Sequence, residues 1–64
     1  MGMQKYVVNQ DNTDNYLNNP NATSFVQADF TPLGSNTVEY DTLAAAQAKA
    51  NQIGPGTTGV PRPH

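Results

Sequence analysis

Sixty-four residues make one domain at most, and a domain this small buries only about 60% of its unfolded surface, so its stability is marginal. The chain has no cysteine, and its one histidine is the last residue, which excludes disulfides, thiolate metal sites and histidine-based zinc sites. Only 12% of residues are charged and the net charge is −2, with only Lys5, Lys49 and Arg62 basic, which argues against binding of a nucleic-acid backbone, since that needs clustered cations.

Met1 and Gly2 before Met3 read as an added leader, and residues 1–3 are expected to lie outside the domain, which should span residues 4–54. The first predicted element is a strand over 5–9, "KYVVN", with Tyr6 and Val8 on one face and Val7 on the other. "QDNTDNYLNNPNAT" follows at 10–23, and asparagine fills five of its fourteen positions. Tyr16 and Leu17 divide this run into two turns, 9–15 and 18–23, flanking a short apolar anchor. Pro20 lacks the N–H a ladder needs and favours a turn between Asn19 and Asn21.

"TSFVQADF" at 23–30 is predicted as the longest strand, with Val26, Ala28 and Phe30 facing the core and Phe25, Gln27 and Asp29 facing outward. "TPLGSN" at 31–36 reads as a loop, and "TVEY" at 37–40 as a further strand with Val38 and Tyr40 inward. Asp41 or Thr42 can cap a helix over 43–53, "LAAAQAKANQI", whose residues are good helix formers. Leu43, Ala46, Ala50 and Ile53 define its core stripe, and Gly54 and Pro55 end it. Three glycines and three prolines in residues 54–64 predict a flexible tail over 55–64. The expected fold is therefore α+β: a small antiparallel β-meander of three to four short strands, followed by one C-terminal helix packed on the sheet.

A search for chemistry finds little. Nucleophilic catalysis needs a nucleophile beside a base, and neither cysteine nor an internal histidine exists. The five carboxylates lack an evident pocket that would raise one pKa, and no phosphate-loop, dinucleotide or zinc-protease motif is present. The expectation is a protein that is not an enzyme and carries no cofactor. Asp11, Thr13 and Asn15 have the alternate spacing of early EF-hand ligands, but Tyr16 stands where the loop requires Gly and Ala22 where it requires Glu. Any calcium site narrows to Asp11 and Asp14, against a simpler reading in which Asn and Asp cap their own turns. "NAT" at 21–23 matches a glycosylation sequon, which reads as chance in a chain without a signal peptide.

Phe25, Gln27 and Tyr16 are the candidate partner-binding residues, since an outward Phe on a strand points to a contact surface. In composition the whole chain, tiny, cysteine-free, rich in Asn and Thr and poor in charge, resembles small accessory proteins of tailed phages, with no motif carrying the resemblance. The expected function is a non-catalytic interaction or structural protein of a larger assembly, binding a protein partner or itself, with no nucleic acid and no membrane. A regulator or inhibitor docking on a host enzyme by strand-edge addition is the alternative, and a calcium-dependent module the third reading. With neither a signal peptide nor a transmembrane run in the sequence, a cytoplasmic or virion-associated location is expected.

Overall fold

The computed structural model describes residues 3–63. A β-branched and aromatic run forms the first strand, β1 (Tyr6–Gln10). β2 (Asn15–Leu17) follows after a turn in which Asn12 takes a positive φ of 61°, a conformation Asn tolerates better than most residues. β3 (Phe30–Pro32), a helix α1 (Leu43–Ile53) and β4 (Thr57–Pro61) complete the chain. The result is an α+β fold: one four-stranded antiparallel sheet in the order β3-β2-β1-β4, with α1 packed on it.

The helix forms where sequence chemistry places it. Thr42 is the N-cap, its Oγ1 accepting from the Ala45 N–H at 3.1 Å. Gly54 ends it at φ 116° and ψ −171°, a region open to glycine and almost nothing else. Ala46, Ala50 and Ile53 are buried against the sheet, whereas Leu43 is 47% exposed. At 3.6 residues per turn Leu43 lies about 60° around the helix from Ala46, at the margin of the stripe. Alanine is small, so the helix backbone comes close to β4. A Cβ built on Gly59 would sit 2.6 Å from the backbone N of Gln47.

The core unites Val8, Leu17 and Phe30 from the sheet, Ala50 and Ile53 from the helix, and Ala22 from the loop after β2, with Val38 and Tyr40 packed against it. Register places Val8, Leu17, Phe30 and Gly59 on the helix side, since Val8 opposes Gly59 and Leu17 opposes Phe30. Val7 points to the other side and is nevertheless fully buried. The amide-rich run is ordered by its own side chains. Asn9 Nδ2 donates to the Thr13 and Asn15 carbonyls, Thr13 Oγ1 donates to the Gln10 carbonyl, and Asn19 Oδ1 accepts from the Asn21 N–H. Lys49 Nζ donates to the Ala22 carbonyl at 2.9 Å and ties the second turn to the helix.

Three expectations need correction. The long strand over 23–30 is absent: Gln27–Asp29 form a single 3-10 turn, and only Phe30 begins β3, which extends into the expected loop. A strand needs a partner of matching length; β2 offers three residues, and its backbone pairing with this segment reaches no further than the 2.7 Å bond that the Asn18 N–H donates to the Asp29 carbonyl. The expected strand over 37–40 reduces to a bridge between Tyr40 and Tyr6, because Gly34 and Thr37 close a turn just before it. Most consequentially, residues 57–61 of the expected flexible tail are β4, so the helix precedes the last strand. Gly and Pro usually break strands, yet here each has a place. Gly59 admits the helix backbone, and Pro61 sits at an edge position that needs no N–H. Residues 1 and 2 of the expected leader and residue 64 of the expected tail lie outside the described residues.

Candidate interaction surface

The 3-10 turn decides what the surface near β3 displays. It rotates Val26 and Ala28, expected in the core, into solvent, and Val26 is 49% exposed. Phe30 remains buried, and Phe25 lies over it with ring centroids 5.1 Å apart and planes 20° from parallel. Phe25 thus has one face on the core and is still 43% exposed. Next to it Gln27 forms two reciprocal 3.0 Å amide bonds with Gln10, and Asn15 Nδ2 donates to the same Gln10 oxygen at 3.3 Å. Phe25 and Gln27 therefore come together on the helix side of the sheet. Tyr16, half-buried, points to the opposite side, because its neighbours Asn15 and Leu17 face the helix. Val26 and Leu43 are exposed apolar residues that alternation and helical spacing assigned to the core.

The basic residues are occupied elsewhere. Lys5 Nζ meets Asp41 Oδ1 at 2.5 Å, and Arg62 Nε meets Glu39 Oε2 at 2.6 Å in an ion contact without the alignment of a hydrogen bond. These two pairs fasten the 39–41 segment across β1 and β4. The Lys5 hydrogen bond, then its charge, holds the Asp41 carboxyl below the usual carboxylate range, and Asp41 raises the Lys5 ammonium in return. Burial raises the Tyr40 phenol. With Lys49 on the Ala22 carbonyl, all three basic side chains have partners within the chain. Asp11 accepts from the Thr58 hydroxyl at 2.7 Å, and Asp14 is exposed. Among the described residues no three His, Cys, Asp or Glu side chains gather as a metal site would require, and no helix is long and apolar enough to cross a membrane.

The sheet has two edges, β3 and β4. In an antiparallel ladder alternate residues bond to the neighbour strand, and the rest point away. The bonds from Arg62 N to Lys5 O and from Asp11 N to Gly56 O fix the phase for β4: Thr58 and Val60 face β1, while Thr57, Gly59 and Pro61 face outward. Likewise, Asn18 N to Asp29 O puts Phe30 and Pro32 outward on β3. The outward N–H of Phe30 donates to the Gln27 carbonyl, and that of Gly59 donates to Gln47 Oε1 at 3.1 Å. Pro32 and Pro61 have no N–H.

Comparison with protein-family models, with curated proteins and with solved structures found no match to this chain. Fold and surface define it as a small α+β protein with an apolar projection beside one sheet edge.

Proposed function

We propose that the chain is a non-catalytic interaction protein that works inside a larger assembly, and that the Phe25–Val26 projection is its contact surface. The observation that carries this reading is a pair of apolar residues adjacent in sequence, 43% and 49% exposed, where only eight apolar residues among those described are buried. A chain with so small a core gains little by leaving a Phe and a Val in water unless another surface covers them. The Phe30 stack restrains the Phe25 ring before binding, which lowers the entropy lost on contact. The role of the charged residues in holding 39–41 and 19–23 in place supports a structural rather than a catalytic use of them. Docking by strand addition finds less support, since the edges retain few free donors.

The test is a Phe25→Ser, Val26→Ser double variant, introduced into the cells that make the chain natively and followed by velocity sedimentation of the lysate. Wild type is expected in a high-mass fraction and the folded variant at monomer mass. A wild-type chain at monomer mass, or a variant that stays with the assembly at wild-type level, overturns the reading.

A further inference from the structure

The β4 edge is closed by a side chain rather than by another strand. Of its three outward positions, Pro61 has no N–H and Gly59 gives its N–H to Gln47 Oε1. Thr57, at the first residue of the strand, is left as the one outward donor among the described residues. The Gln47 amide is oriented for this, because its Nε2 donates to Asn51 Oδ1 at 2.9 Å one helical turn on. The close pass of the helix over Gly59 makes the reach possible, since any Cβ at position 59 would meet the helix backbone at Gln47.

Two folded copies joined antiparallel at this edge would set their helices side by side on one face, where they collide. Each helix lies over its own β4, and strands pair at about 4.8 Å, far less than the 8–10 Å that two helices need. An extended segment has no helix to collide with. The segment of this chain best suited to the outer edge of β4 is the β1 sequence, which is β-branched and aromatic and already pairs with the inner edge of the same strand over five residues. A second copy exposes that sequence whenever it is unfolded. We propose that Gln47 is a strand guard: it occupies the Gly59 N–H and so keeps the β1 segment of an unfolded second copy from adding to β4. This inference is independent of the Phe25–Val26 face.

The probe is a synthetic peptide of residues 4–11, QKYVVNQD, titrated into the isotopically labelled full chain and followed at the Thr57 and Gly59 amides. Gln47→Ala removes the guard and keeps a good helix former. In this variant the two amides should shift as peptide is added, with an affinity about fivefold or more above wild type, the equivalent of one net hydrogen bond. Gln47→Glu retains an acceptor oxygen and should behave as wild type. Free exchange of the Gly59 amide with solvent should quicken by a similar factor in Gln47→Ala, and the Val60 amide, bonded to β1, should not change. Equal peptide response in wild type and Gln47→Ala, whether strong or absent, overturns the proposal, as does a Gln47→Glu chain that takes the peptide as readily as Gln47→Ala.

Discussion

Gly59→Ala isolates the contact on which the helix–sheet layer depends. Gly59 has no positive φ, so alanine introduces no backbone strain, and the whole effect is one methyl group. That methyl would stand 2.6 Å from Gln47 N and 3.0 Å from Ala46 C and Gln47 Cα, all backbone atoms, where ordinary contact begins at 3.4 Å. No rotamer relieves it, so helix and strand must separate by about 0.8 Å, the difference between 3.4 and 2.6 Å. A gap of 0.5–1 Å forfeits roughly a quarter to a half of each dispersion contact, and here it opens beneath Ala46, Ala50 and Ile53. Overpacking of this kind costs about 1–3 kcal/mol. The loss of glycine freedom in the unfolded chain returns about 0.4–1 kcal/mol. A net destabilisation of about 1.3 kcal/mol is expected, or about 5–10 °C in Tm for a domain of this size. Thermal and urea unfolding read it directly. Gly34→Ala is the control, because its new Cβ meets nothing nearer than the Pro32 carbonyl oxygen at 3.8 Å. It should leave stability unchanged or raise it by up to about 1 kcal/mol. A Gly59→Ala chain within about 0.5 kcal/mol of wild type would refute the close-approach argument.

Further outcomes follow from other contacts. Thr57→Val keeps the shape of a buried side chain but removes the hydroxyl that donates to the Ala50 and Gly54 carbonyls, and urea unfolding should show a loss of about 1–3 kcal/mol. Phe25→Ala should lose only about 1 kcal/mol, the scale of an aromatic stack, so its circular dichroism spectrum should remain that of the wild type. The Lys5–Asp41 pair predicts a plateau in stability against pH. The lowered Asp41 pKa contributes above the ordinary carboxylate value near 3.9 and is lost as pH falls through its folded value; the raised Lys5 pKa contributes below about 10.4 and is lost as pH rises through its folded value. Lys5→Met should flatten both flanks of the Tm–pH profile, and the alkaline fall that remains should report the raised Tyr40 phenol.

The parts of this fold that depend on local chemistry were legible in the sequence. Thr42, the alanine-rich 43–53 segment and Gly54 define a helix with both ends marked, and the β-branched residues of β1 define a strand. Even the amide run could be divided at Tyr16 and Leu17, which lie in β2. What was hidden depends on partners distant in sequence. Residues 57–61 read as a tail because Gly and Pro are judged as breakers, and only the approach of Gln47 and the edge position of Pro61 explain them as a strand. The alternation at 25–30 is real as a pattern, but β2 ends too early for residues 23–28 to pair, so Val26 and Ala28 are exposed along with Phe25 and Gln27, and only Phe30 keeps its expected place in the core. Of the candidate contact residues, Phe25 and Gln27 lie together and Tyr16 on the other side.

A photo-crosslinking residue tests whether contact runs through the Phe25 face, on the helix side, and not through the opposite face of the sheet. It would be placed at position 25 in one chain and at position 58, exposed on β4, in another, with both expressed in the native cells. One defined protein adduct is expected from position 25 and none from position 58. A defined adduct from position 58, or none from position 25, would contradict contact through the Phe25 face.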